Sequence, residues 1–192
     1  KAHPIKNATF LAVRGPQTRA FLLEQGYNVP EIYGDPALLL PKYYHPKIEQ
    51  IYKIGIIPHY RDYNKIKDFY KDDNEILLID LMSNDIEKTT DQFLKCESIV
   101  SSSLHGVIVA HAYGIPAVWQ KFSDDVFGDD IKYQDYFESV LIPAYQSDIK
   151  DSKMNLNQLQ SLFNDKESLP KLGVIEDLCN NLMAVCPFKS EF

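Results

Sequence analysis

The sequence has only three cysteines, Cys96, Cys179 and Cys186, and no C-x-x-C pair. An odd, scattered set argues against a disulfide framework and a zinc site, and it fits a reducing compartment. Cys179 and Cys186 fall within an apolar helical pattern and are expected in the core. No Lys/Arg run is long enough to build a basic face, and the formal net charge is -7, so a nucleic-acid partner is not expected. No stretch approaches the roughly 18 apolar residues of a bilayer-spanning helix, and the N-terminus has no apolar signal core. Internal repeats and low-complexity tracts are absent. The chain starts at Lys1 rather than Met and reaches its first expected strand by Thr9, which suggests a trimmed chain or part of a larger enzyme.

What is present is a globular composition. The chain has 192 residues, 45% of them hydrophobic, enough for one sizeable core or a domain plus an arm and too apolar for disorder. Short apolar runs alternate with helical patterns. Thr9–Val13 and Ile32–Tyr33 are expected as strands. Pro16–Gln25 is expected as a helix closed by Gly26. Proline at both ends of the segment from Pro41 to Pro46 marks a connector. Beyond it, Lys53–Pro58, Glu75–Asp80, Ser98–Ser101 and Pro116–Trp119 are continuous apolar runs without alternation, the pattern of parallel strands covered on both faces. Helical patterns lie between and after them, at Tyr63–Tyr70, Ile86–Lys95, Leu104–Tyr113 and Ile131–Ser139. The order predicts a doubly wound α/β domain with a mostly parallel, Rossmann-like sheet. Two amphipathic helices follow, one near Leu156–Phe163 and one carrying Val174, Ile175, Leu178, Leu182 and Val185.

Open α/β sheets bind ligands outside the carboxyl ends of their strands. Four expected strand ends run into clusters rich in Arg, His, Lys and Ser: Arg14–Arg19, His59–Asp62, Ser101–Gly106 and Gln120–Ser123. An acidic chain would more often place Asp, Glu and Gly there. Three serines lead from the Ser98–Ser101 strand into a helix beginning near Leu104. A helix start offers unpaired N–H groups and the positive end of a dipole to an anion. His105, in its first turn, is of the type that carries protons near neutral pH. The residues alone leave a second reading open, in which Ser103 is a plain helix cap and His105 a half-buried polar residue. Arg14, at a strand end, suits a carboxylate or phosphate. Arg19 is placed on a solvated helix face as readily as in a site, and His59 under a loop as readily as in one. Lys121 and Lys132 could each carry a phosphate-facing charge. His111 faces about 240° around the helix from His105 and reads as structural. Trp119 reads as core, and His3 and His45 as surface. Asp35 shapes a turn between Gly34 and Pro36. The run Asp124, Asp125, Asp129 and Asp130 lacks calcium-loop spacing.

Five segments in order resemble the polysaccharide pyruvyl transferase family: V-R-G-P-Q-T-R at 13–19, Y-G-D-P-A-L-L-L-P at 33–41, I-G-I-I-P-H-Y at 54–60, S-S-S-L-H-G at 101–106 and G-I-P-A-V-W at 114–119. The nearest likeness is to the branch acting in bacterial exopolysaccharide synthesis. The resemblance implies two Rossmann-like halves facing each other as in B-type glycosyltransferases. Residues 1–41 would then be the remnant of the N-terminal half, 42–52 a connector, and 53–192 the C-terminal half with its two terminal helices. It implies transfer of pyruvate from phosphoenolpyruvate to a sugar as a ketal. The family's catalytic histidine falls on His105, its donor-binding arginine on Arg14, and a lysine on Lys132. Ser101, Ser102, Ser103, Gly106, His59, Lys121 and Arg19 complete the expected binding set. The family often carries arginine two residues before the histidine, where this chain has Ser103. The scheme needs no metal or organic cofactor. Expected partners are phosphoenolpyruvate and a lipid-linked saccharide, at the inner face of the plasma membrane in the cytoplasm. Two alternatives accompany this reading: a nucleotide-sugar-dependent glycosyltransferase, and a non-catalytic carbohydrate-binding module.

Overall fold

The computed structural model describes residues 8–125 and 130–188. Along the chain come α1 (Pro16–Glu24), a 3-10 turn (Pro36–Leu39), α2 (Leu40–Tyr43), β1 (Tyr52–Ile57), α3 (Tyr63–Tyr70), β2 (Ile76–Leu78) and α4 (Ile86–Leu94). Then follow β3 (Cys96–Ser101), α5 (Leu104–Ala112), β4 (Ala117–Trp119), α6 (Ile131–Ser139), α7 (Leu156–Ser161) and α8 (Val174–Val185). The four strands form one all-parallel sheet in the order β2-β1-β3-β4. This is the doubly wound, Rossmann-like α/β fold expected from the unbroken apolar runs. The strand order reverses direction between β1 and β3, which makes that gap the switch point where such sheets open a crevice.

The chain divides into two compact units. One comprises, among the described residues, 8–36, 130–144 and 170–188; the other comprises 37–125 and 145–169. The units interleave along the sequence. The sheet, α3, α4, α5 and α7 belong to the second unit, while α1, α6 and α8 belong to the first.

In the sheet unit, residue alternation explains why the strands show none in sequence. Ile54 and Ile56 of β1, Val100 of β3 and Val118 of β4 point to one face, where they pack with Ile66 and Tyr70 of α3 and Leu159 of α7. Gly55 and Ile99 point to the other, where a side chain on Gly55 would run into Ile99 and Cys96. Each fully buried aliphatic side chain contributes about 1.5–3 kcal/mol. The returning segment 145–169 has little secondary structure and is held by tyrosine hydroxyls. Tyr145 Oη accepts from Trp119 N–H at 2.6 Å and donates to Trp119 C=O at 3.2 Å. Tyr70 Oη does the same with Met154, both at 3.0 Å. Trp119 is core, as expected.

Three expectations need correction. Thr9–Val13 and Ile32–Tyr33 are not strands: a single parallel bridge joins Val13 to Tyr33, and of the first segment only Val13 is buried, with Leu11 39% exposed. The connector begins inside a helical turn, α2, because Pro41 sits in its first turn, where no backbone N–H is required. Cys186 is exposed at the end of α8, whereas Cys179 is buried; none of the three cysteines, all described, forms a disulfide. Among the described residues no helix is long and apolar enough to cross a membrane.

His111 is 2% exposed, as its place on α5 opposite His105 suggested. Its Nε2 lies 3.1 Å from Ser168 O and 3.4 Å from Ala117 O, so the neutral ring donates from Nε2 and ties the returning segment to β4. Burial pushes its pKa down to about 4, with the two carbonyls opposing. The unfolded chain therefore binds the proton first. The stability this neutral ring contributes is whole above about pH 6.5 and is lost as the pH falls toward 4. Roughly 3 kcal/mol is at stake. Urea midpoints of the native chain should fall across that window, and those of His111→Gln should fall less steeply. Equal slopes would remove this ring as the cause.

Candidate functional site

In the sheet unit, the carboxyl ends of β1 and β3 are stapled together at the switch point. Ser102 N donates to Ile57 O at 3.0 Å, and Ser102 Oγ accepts from His59 N at 2.8 Å. Ser101 Oγ lies 2.9 Å from Ile57 O and 2.8 Å from Ser103 O, and it accepts from Ser103 N at 2.9 Å. Ser101 and Ser102 are 0% and 1% exposed. Their hydroxyls were expected to touch a substrate. Both hydroxyls bond backbone groups of the two strand ends, which fixes the loop that carries His105.

The α5 start stands on that staple. Ser103 occupies the capping position, but its side chain makes no cap bond to the helix, so the plain-cap reading fails. His105 is exposed in the first turn, while the rest of α5 sinks into the core through Leu104, Val107, Ile108 and Ala110. Gly106 lets the helix sit this close: a Cβ there would lie 2.2 Å from Ser101 Oγ and 2.9 Å from Ser101 Cβ. Packing against Ser101 thus requires glycine at position 106. Gly106→Ala should cost about 1–3 kcal/mol by forcing the helix off the staple. A denaturation midpoint within error of the parent would show that the loop relaxes freely.

Other predicted residues ring the same strand ends. His59 is half-buried, its ring 4.3 Å from that of Tyr60. Lys121 is half-buried, its ammonium 5.6 Å from the Trp119 ring centroid, a cation–π arrangement. The loops after β1 and β4 are tied directly. Ser123 Oγ donates to Asp62 Oδ1, and Arg61 Nη1 donates to Asp125 O at 2.9 Å. Asp62 is buried with Oδ2 unpartnered. Nothing in the sequence singled out Asp62 except its place after a strand.

The remaining predicted cations lie in the first unit. Arg14 Nε and Nη2 each stand 3.0 Å from Asp135 Oδ2. The same carboxylate accepts from Thr18 N at 3.0 Å and Thr18 Oγ1 at 2.6 Å, so Asp135 of α6 closes the N-terminus of α1, whose own Gly15 cap has no side chain. Lys132, in the first turn of α6, is half-buried. Burial pushes its pKa down, Asp130 opposes this, and the charge of Arg14 adds to it. Arg14 and Lys132, far apart in sequence, are therefore electrostatic neighbours. Arg19 turns to its own backbone neighbourhood, where its Nε donates to Val29 O at 3.2 Å. Sequence reasoning missed Asp135. The signal available was a lone carboxylate inside the aromatic stretch Tyr133–Phe137, all of which is buried except Gln134.

Asp35 exerts its charge on Tyr136 in that unit, raising a phenol already raised by burial. His45 is exposed and stacks at 6.4 Å on Tyr113. His3, Phe127, Gly128 and Asp129 lie outside the described residues. Among the described residues no three His, Cys, Asp or Glu side chains gather as a metal site.

The family model described as polysaccharide pyruvyl transferase matches residues 5–119, more than half of the chain. A curated relative, an uncharacterized protein of Acanthamoeba polyphaga mimivirus, is 40% identical over 130 residues, covering 65% of this chain and 45% of that protein. The chain thus spans less than half the length of the relative it matches. No solved structure matches it. The match runs from residue 5 through the Arg14 segment, the switch-point staple and His105 to the end of β4, and on that ground the chain belongs to the polysaccharide pyruvyl transferase family.

Proposed function

We propose that the chain is part of an enzyme that moves the pyruvyl group of phosphoenolpyruvate onto two hydroxyls of a saccharide as a ketal. The observation that carries this is the exposure of His105 at an uncapped helix start beside the switch point of a parallel sheet, within the family match. His105 delivers a proton to the methylene carbon of the donor. One sugar hydroxyl adds to the resulting electron-poor carbon, phosphate departs, and the second hydroxyl closes the ring. One hydroxyl proton restores His105 and the other leaves with phosphate, so the products are the ketal and inorganic phosphate. The donor is anionic at both ends, which calls for cations. Arg14 and Lys132 supply them in one unit, and burial of Lys132 strengthens its pull on an anion. Arg14, held by Asp135, keeps its remaining guanidinium N–H groups for that use. We place the reaction on a lipid-linked acceptor in surface-polysaccharide synthesis, and the two-domain, B-type glycosyltransferase-like arrangement is part of the same reading.

The test is phosphate release from phosphoenolpyruvate with and without candidate saccharides, followed by mass spectrometry of the sugar. Acceptor-dependent release with a pyruvyl mass increment supports the reading; release of the nucleotide from a nucleotide sugar, with a glycosyl mass increment on the acceptor, would replace it. Lys132→Ala should raise KM for phosphoenolpyruvate by about 10-fold or more, the worth of one charge-assisted contact of about 1.5–3 kcal/mol, with a smaller change in kcat. An unchanged KM removes Lys132 from the donor site.

A further inference from the structure

A second open surface of the sheet unit lies along β2, an edge strand whose single neighbour among the described residues is β1. Glu75 O accepts from Lys53 N and Ile54 N at 2.9 and 3.3 Å, and Ile79 N donates to Ile56 O at 2.9 Å. Residues 75 and 79 thus face β1, and alternation turns the backbone polar groups of Ile76 and Leu78 to the open edge. Asp73 Oδ1 answers the Ile76 N–H at 3.2 Å. Against this strand runs a cavity of about 300 Å³, lined also by Tyr52, Tyr63, Tyr70, Lys67 and Lys71. That volume is at the lower end for small-ligand clefts, about 300–1,000 Å³. Tyr52 and Tyr63 are half-buried, presenting ring surface held in place, while Lys67 and Lys71 are exposed one helical turn apart. Tyr70 is buried beneath this cleft, its hydroxyl bonded to Met154.

We propose that this cleft is a saccharide-binding subsite that holds the acceptor chain away from its reacting hydroxyls. A sugar has apolar C–H faces and hydroxyls that both donate and accept. Aromatic rings with a polar tip match the first, and the lysine ammoniums, the Asp73 carboxylate and the edge backbone groups match the second. An added peptide strand is the other ligand an open edge takes. Here β2 has three residues, too short a template for strand addition, and short edges are how sheets avoid it. The identity of the ligand as an acceptor rests on the transferase reading; the existence of the subsite does not.

The experiment is a titration of the protein with lactose and with cellobiose, with no phosphoenolpyruvate present, followed by methyl NMR of Leu77, Leu78 and Ile76. Shifts confined to β2 and its flanks are expected with at least one disaccharide. Tyr63→Ala should weaken that binding by about 10-fold or more. Lys67→Ala, at an exposed position that leaves packing intact, should weaken it several-fold, and His105→Ala should leave it unchanged. No shift with either sugar, shifts that map elsewhere, or preferential binding of an extended peptide along β2 would each overturn the proposal. Because no donor is present, sugar binding here survives a failure of pyruvyl transfer, and an active transferase that binds its acceptor elsewhere sinks the cleft alone.

Discussion

Replacing His105 by alanine should lower pyruvyl transfer by about 10²–10⁴-fold, the range a single placed acid/base supplies, while leaving the unfolding midpoint within about 0.5 kcal/mol of the parent. The two halves of this expectation have separate physical grounds. The stability half follows from exposure: the imidazole projects from the first turn of α5, and the residues that bury that helix are Leu104, Gly106, Val107, Ile108 and Ala110. The activity half follows from the protonation step of the proposed reaction, in which the methylene carbon of the donor accepts no proton at a useful rate without an oriented acid. A His105→Gln variant separates protonation from hydrogen bonding. It keeps a donor of similar reach but cannot release a proton, so it should be nearly as slow as alanine. The check is initial phosphate release at saturating donor for the three proteins, with urea titrations beside them. Parent-like turnover in either variant would remove the acid/base role. A matching drop in stability would make His105 a structural residue.

Much of the fold could be read from the residues because one physical condition, burial on both faces, wrote itself into sequence as unbroken apolar runs. The runs at Lys53–Pro58 and Ser98–Ser101 became β1 and β3 at the centre of the sheet. Helices with a strong stripe were equally plain, and those expected at Tyr63–Tyr70 and Ile86–Lys95 stand where the spacing put them, the second ending one residue sooner. What failed was short and local. Thr9–Val13 has strand composition, but a strand exists only with a neighbour to bond, and Val13 alone finds one in Tyr33. At the site, residue types at strand ends located His59, Ser101–Gly106 and Lys121 but not their roles. Serine hydroxyls that face a ligand and serine hydroxyls that staple two strands look identical in sequence. The choice was made by Ile57 O and His59 N, some forty residues away. Asp135 was invisible for the same reason, since its partners Arg14 and Thr18 precede it by more than a hundred residues.

Asp135→Ala should destabilise the unit built from α1, α6 and α8 by about 3–5 kcal/mol, the loss of a helix cap of about 1–2 kcal/mol together with a charge-assisted contact of about 1.5–3 kcal/mol. That is a large part of the 5–15 kcal/mol typical of a folded domain. The carboxylate is 1% exposed and accepts from the Arg14 guanidinium, the Thr18 amide and the Thr18 hydroxyl. It serves α1 as an N-cap supplied from another helix, since Gly15 brings none. Nor can Gly15 be given a side chain to compensate, because a Cβ there would lie 2.1 Å from Asp135 O. Asp135→Asn keeps the shape and one acceptor but loses the charge, so it should cost less, about 1–3 kcal/mol. Arg14→Ala removes the opposite charge and leaves the buried carboxylate with only the two Thr18 donors. In a double-mutant cycle the two alanine changes should therefore couple by about 0.5–3 kcal/mol, read from urea unfolding of the four proteins. Additive losses would mean that Arg14 and Asp135 hold the unit independently. The orientation of Arg14 toward a donor anion would then have to be explained by something other than its carboxylate partner.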